Sequence, residues 1–217
     1  MICYDYINKY IRDTIKKDEG ILLELRNYAL LNNVPIVHPE VARLLVVLGH
    51  MVKPSKVLEI GTAIGYSSIL MSQILNQGGI IDTIESNDAM IDLAKENIKI
   101  AGCKDVINII AGDAAEVLPC LDKKYDFIFL DAAKGQYPEF LPHCIRMLNN
   151  NGVLISDNVL YKGMVANEEL VVRRKKTIVK RLKDYLDTIC SDNSLETCIL
   201  PVGDGVAVSF KRGDNIG

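Results

Sequence analysis

The chain contains no tryptophan among its 217 residues, and aromatic side chains make up only 6% of it. A planar aromatic ligand would therefore have to be gripped without an indole. No C-x-x-C pair occurs, and the six cysteines (Cys3, Cys103, Cys120, Cys144, Cys190 and Cys198) follow no regular spacing. That scatter argues against a disulfide framework and suits reduced thiols in a cytosolic protein. No apolar run approaches the roughly 20 residues that a membrane-spanning helix needs. Met1 is followed by tyrosines, charges and a lysine pair, without the apolar stretch and small-residue cleavage site of a secretory signal. The net charge of −3 gives no overall pull toward nucleic acid or an anionic membrane, so a polyanionic partner would have to meet a local patch. These absences lead to the expectation of a soluble, cytoplasmic protein with no membrane partner.

What is present is an apolar content of 49%, enough for one sizeable core, and the expectation is a single domain over 1–217 with a helical extension at 1–35. Residues 4 to about 32 place Ile7, Ile11, Ile15, Ile21, Leu22, Leu25, Tyr28 and Ala29 at helical spacing, which predicts two amphipathic helices packed over or beside a sheet. His38-Pro39-Glu40 opens a third helix, running to about Val52 and expected to bury Val41, Leu44, Leu45 and Leu48. From Lys56 onward short β-rich runs alternate with longer helical ones, the pattern of βαβ units and a parallel sheet. The spacing predicts strands at 56–60, 80–84, 106–110, 126–130 and 152–156 and helices at 66–76, 87–101, 114–120 and 137–149. A charged helical stretch at 168–189 follows, then strands at 195–201 and 205–211 joined by Gly203-Asp204-Gly205, a tight-turn signal that predicts an antiparallel hairpin at the sheet edge.

Chemistry is concentrated where the apolar strands stop, and in an open α/β sheet that is where ligands bind. Glu59-Ile60-Gly61-Thr62-Ala63-Ile64-Gly65-Tyr66-Ser67 follows the first strand and opens a helix, with glycines that let a ligand approach the backbone. Its G-x-x-x-G spacing differs from the G-x-G-x-x-G of dinucleotide enzymes, and an ordinary strand-to-helix turn is the plainer reading. Glu85 ends the second strand about twenty residues further on, where a carboxylate can accept the hydroxyls of a ribose. Asp113, after the third strand, can accept from an adenine amine. Each could equally cap the helix that follows it. In order on successive strands, they fit an adenosine with no phosphates to cradle, and S-adenosylmethionine meets that description.

Asp131 closes the fourth strand, and Asp157 with Asn158 closes the fifth. Three hard oxygen ligands without histidine or cysteine suit Mg²⁺ and not zinc, the plainer alternative being two unrelated helix caps. Lys134, three residues after Asp131, is suited to act as a general base on a group bound at that ion. A hydroxyl flanked by a second oxygen would chelate the ion and be held in line for methylation.

Taken together, EIGTAIGYS, the IES acid, AGDA, FLDAAKGQY, ISDN and the terminal PVGDG turn resemble the cation-dependent class I O-methyltransferases, which include catechol and caffeoyl-CoA O-methyltransferases, from roughly Val34 to Lys211. The resemblance implies a Rossmann-like α/β fold: a mostly parallel seven-stranded sheet, a C-terminal antiparallel hairpin and helices on both faces. It implies Asp131, Asp157 and Asn158 as metal ligands and Lys134 with Asp131 as the catalytic pair. Val37, Gly61, Ser67, Glu85, Asp113 and Ala114 match cofactor contacts, with Asp131 also facing the cofactor's methionine end, and a homodimer is expected. Within the family the wording is similar to the bacterial tRNA 5-hydroxyuridine methyltransferases. The 5-hydroxyl and 4-carbonyl of that base are a vicinal oxygen pair, as in a catechol. Arg173, Arg174, Lys175, Lys176, Lys180, Arg181 and Lys183 form a candidate footprint for the phosphates of a tRNA anticodon loop, or for those of CoA, or simply a solvated helix face. A cofactor-binding protein without catalysis is the reading from another class, and the Asp131, Lys134, Asp157 and Asn158 set argues against it.

Overall fold

Runs such as Tyr125-Asp-Phe-Ile-Phe-Leu130 alternate side chains between two buried faces, and the chain stacks them into one sheet. Residues 2–213 are described by the structure, a computed structural model. The strands are β1 (Lys56–Ile60), β2 (Ile80–Glu85), β3 (Ile107–Ala111), β4 (Tyr125–Leu130), β5 (Leu148–Asp157), β6 (Leu195–Leu200) and β7 (Val206–Lys211). They lie in the order β3-β2-β1-β4-β5-β7-β6. The first five are parallel, and β7 runs antiparallel to both β5 and β6.

The helices are α1 (Asp5–Thr14), α2 (Ile21–Asn32), α3 (Pro39–Val52), α4 (Tyr66–Ser72), α5 (Asp88–Ile100), α6 (Ala114–Cys120), α7 (Tyr137–Met147) and α8 (Lys176–Ser191). Val57, Ile81, Phe127, Phe129, Val153 and Ile155 form one core with buried residues of α2 to α5. Leu58, Ile60, Ile84, Ile128, Leu130 and Leu154 form the other with α6 to α8. The sheet is therefore covered on both faces, which is why its strands read as nearly continuous apolar runs. Among the described residues no helix is long and apolar enough to cross a membrane.

Several expected boundaries shift for local reasons. The fourth helix stops at Ser72 and not 76, because the chain turns there to feed β2, with the Asn76 and Ile80 amides donating to the Pro54 and Ser55 carbonyls. The fifth strand begins at Leu148 and not 152; Leu148 pairs with Tyr125 across a register shift, and the Asn149 amide donates to Asp126 at 2.7 Å. The stretch 168–189 is not one helix: short 3₁₀ turns at Glu168–Leu170 and Arg173–Lys175 precede α8, where the Asn167 side chain caps the Glu169 amide. In α3, Val41 and Leu45 are buried as expected, but Leu44 and Leu48 are only half-buried, and Ala42 and Gly49 take the inner face. In α2, Leu22, Leu25 and Ala29 are buried while Tyr28 faces solvent, and α1 buries no residue fully.

Candidate active site

The strand order reverses between β1 and β4, so the loops leaving those two strands diverge and open a crevice at their C-terminal ends. A cavity of about 840 Å³ lies there, within the usual size of a small-molecule site. Val37, Gly61, Ser67, Glu85, Asp113, Ala114, Asp131, Lys134, Asp157 and Asn158 all line it. Residues spread over some 120 positions of sequence thus meet in one pocket.

At the β1 tip the backbone turns through Gly61 at φ +104°, and a Cβ there would lie 2.2 Å from the Asp131 carbonyl oxygen. Only glycine lets the β1 loop run this close to the β4 tip. At the end of β2, Glu85 accepts from the Ala63 amide through Oε2 and from the Ser86 and Asn87 amides through Oε1, each at 2.9 Å. Three of its four acceptor positions are taken, so the carboxylate is fixed and keeps one for a ligand hydroxyl; a second hydroxyl would share an oxygen already bonded. Asp113 is the N-cap of α6, its Oδ1 accepting from the Ala115 amide at 2.8 Å, and it faces the cavity as well. The residue is therefore a helix cap that also lines the cavity.

At the β4 tip Asp131 accepts from the Lys134 ammonium at 2.5 Å. Asp157, at the β5 tip, is 1% exposed and accepts from the Asn158 amide at 2.7 Å. Burial, and next the charge of Asp131, push the Asp157 carboxyl up to about 8, against the opposing pull of Lys134 and the Asn158 amide. Asn158 adopts φ +56°, a left-handed backbone that is uncommon for a residue with a side chain and that recurs at functional sites. Two carboxyl groups share this corner with a single ammonium, and a divalent cation would replace the proton that burial otherwise keeps on Asp157. The donors are hard oxygens, so the residues fit Mg²⁺ or a similar ion. Among the described residues no group of three or more His, Cys, Asp or Glu gathers to bind metal.

Solved relatives share this architecture. A candidate caffeoyl-CoA O-methyltransferase from Staphylococcus aureus superposes with a TM-score of 0.88 at 36% identity, covering 95% of this chain and 100% of that one. The O-methyltransferase family model matches residues 12–212. The chain belongs to the O-methyltransferase family. It is thereby an S-adenosylmethionine-dependent O-methyltransferase. A Bacillus cereus O-methyltransferase in complex with S-adenosylhomocysteine superposes with a TM-score of 0.84 at 25% identity, covering 95% of this chain and 97% of that one. The catechol O-methyltransferase of Niastella koreensis is 29% identical over 171 residues, 76% of this chain and 77% of its own length. The caffeoyl-CoA O-methyltransferase of Populus kitakamiensis is 26% identical over 190 residues, 84% and 80% of the two chains.

Several residues shape this O-methyltransferase site through contacts that their sequence positions do not announce. Glu59 at the end of β1 is fully buried; Ser68 and Thr83 donate to its Oε2, while Oε1 is without a partner. Burial pushes its carboxyl up to about 7, well above the ordinary carboxylate range. Asp18 accepts from Arg26 at 2.5 Å, from the Tyr66 hydroxyl at 2.8 Å and from Arg43 at 3.2 Å. Arg26 also donates to the Val37 carbonyl at 3.2 Å, and Arg12 forks onto Glu40 at 2.8 Å. These pairs fix the 34–38 segment as the cavity wall. The Arg181 guanidinium donates to the Gly135 carbonyl at 2.9 Å, tying α8 to the turn that carries Lys134.

Proposed function

We propose that this O-methyltransferase uses a divalent cation, Mg²⁺ being the expected one, and methylates the 5-hydroxyl of 5-hydroxyuridine at the wobble position of tRNA, giving 5-methoxyuridine. One observation carries the cation-dependent half of the reading: Asp131 and Asp157 lie at neighbouring strand tips, with Lys134 bonded to the first. Bound together, the cofactor supplies an electrophilic methyl sulfonium and the cation an electrostatic pull that makes a vicinal hydroxyl more acidic. Asp131, Asp157 and Asn158 hold that cation. Glu85 and Asp113 orient the adenosine, with Val37, Gly61, Ser67 and Ala114 closing around it. Asp131 would exchange Lys134 for the cation, and the lysine, once it has released its own proton to solvent, would accept the acceptor's hydroxyl proton at Nζ. Holding the oxygen in line with the methyl group is the largest part of what remains.

The tRNA half rests on the position of the basic run. The Arg181 bond to the Gly135 carbonyl sets α8 beside the Lys134 turn, and Lys175 lies 5.5 Å over the Tyr161 ring, three residues from Asn158. Arg173, Arg174, Lys176 and Lys180 stay exposed on that side, free to meet phosphates. Tyr161 and Lys162 are held at φ +44° and +58°, a strained turn shortly after Asn158. A cytoplasmic homodimer joined through the N-terminal helices, the chain folding as one domain, accompanies this reading. The second reading is a small catechol or a caffeoyl-CoA-like phenol, favoured by the relatives of those names. Incubating the protein with S-adenosylmethionine, Mg²⁺ and either hydroxylated tRNA or catechol separates the two. Methyl transfer to the small phenol alone would overturn the tRNA reading, and full activity in excess EDTA would overturn the cation.

A further inference from the structure

Tyr137 opens α7 three residues after Lys134, and none of its side chain reaches solvent. Its hydroxyl lies 3.0 Å from the Leu130 carbonyl oxygen and 2.9 Å from the Asp157 carbonyl oxygen. Leu130 is the last residue of β4 and precedes Asp131; Asp157 is the last residue of β5. One O–H is thus shared between the tips of the two strands that present the paired carboxylates. The ladder between those strands ends at Leu130 and Ser156. Beyond that point, among the described residues, the phenol joins the two backbones directly.

The ring cannot swing away from this position. It meets the Tyr185 ring edge to face with centroids 5.4 Å apart, a contact that does not involve the Tyr185 hydroxyl. The Lys134 ammonium lies 5.8 Å from the centre of the Tyr137 ring. One buried side chain therefore touches both carboxylate-bearing tips and neighbours the lysine.

We propose that Tyr137 is the positioning residue that sets the spacing of Asp131 and Asp157, and through it the affinity of the site for a divalent cation. The inference rests on the cation-dependent reading above. Tyr137→Phe keeps the ring and its packing and removes only the bridge. The test titrates Mn²⁺ into the full-length protein, follows free Mn²⁺ by electron paramagnetic resonance, and measures S-adenosylhomocysteine affinity by calorimetry. Y137F is expected to bind Mn²⁺ about tenfold more weakly, the scale on which outer partners tune metal sites, with cofactor affinity and circular dichroism unchanged. Tyr185→Phe loses a neighbouring buried hydroxyl that bridges no strand tip and is expected to keep the wild-type Mn²⁺ affinity. Unchanged Mn²⁺ binding in Y137F, or an equal loss in Y185F, overturns the clamp alone. A wild-type protein that binds no Mn²⁺ overturns the cation-dependent reading and the clamp with it. Should Y137F not fold, 3-fluorotyrosine at position 137 keeps the hydroxyl as a stronger donor and is expected to bind Mn²⁺ at least as tightly as the wild type; weaker binding overturns the proposal.

Discussion

Replacing Asp157 with Asn should strengthen the metal-free fold while destroying the site, and the effect should grow with pH. In the folded chain burial and the neighbouring Asp131 charge raise the Asp157 carboxyl from its ordinary 3.8 to about 8. A folded-state value above the unfolded one means that the folded protein holds a proton the unfolded chain has released. The resulting stability is fully present below pH 3.8 and is lost progressively as pH rises toward 8. Each pH unit inside that window costs about 1.4 kcal/mol, so the wild type should lose about 2 to 3 kcal/mol between pH 6 and pH 8 through this group. An asparagine carries no such proton, and D157N should gain on the wild type by about that amount over the same interval. Urea unfolding of both proteins in EDTA at pH 6, 7 and 8 reads the difference directly. Adding Mg²⁺ at pH 8 should restore the wild type, since a ligand that binds only the folded state stabilises it, and should leave D157N unmoved. Parallel pH profiles for the two proteins would refute the reasoning, because they would mean that the Asp157 carboxylate is not confined in a buried, like-charged corner.

Other substitutions probe the remaining parts. Lys134→Ala should lower kcat by about 10²- to 10⁴-fold, the span usual for a general base, with S-adenosylhomocysteine affinity retained in calorimetry. Loss of affinity in step with kcat would make Lys134 a binding residue instead. Glu85→Ala should raise the Kd for S-adenosylhomocysteine by about 10- to 100-fold, as expected for losing hydrogen bonds to a charged acceptor, and should leave Mn²⁺ binding intact. Gly61→Ala forces a Cβ to 2.2 Å from the Asp131 carbonyl oxygen at φ +104°, and should cost about 3 kcal/mol in denaturant unfolding; a variant as stable as the wild type would show that the two strand tips can part freely.

Much of this was legible in one dimension because parallel strands buried on both faces must be apolar until they end. An acid after such a run, as at Glu85, Asp131 or Asp157, therefore marks both a boundary and the side of the sheet where ligands gather. The α6 cap at Asp113 and the Gly203-Asp204-Gly205 turn were legible for the same local reason, being set by the backbone needs of a few adjacent residues. The breaks at Ser72 and within 168–175, by contrast, answer to partners far along the chain or to turns with no periodicity. Leu44 and Leu48 read as core by spacing, yet the neighbouring elements covered Ala42 and Gly49 instead.

The strands along the chain and the acids at their ends followed from residue type and spacing, since periodicity and turn chemistry act over a handful of positions, and the family followed from the resemblance of the motifs. Folding in three dimensions alone decided that Asp18 would find Arg26, Arg43 and Tyr66, that Glu59 would be sealed without a partner for one oxygen, and that a single tyrosine hydroxyl would span two strand ends. Those outcomes depend on burial and on contacts between residues distant in sequence, and a buried polar group can settle its hydrogen bonds only once the packing around it exists.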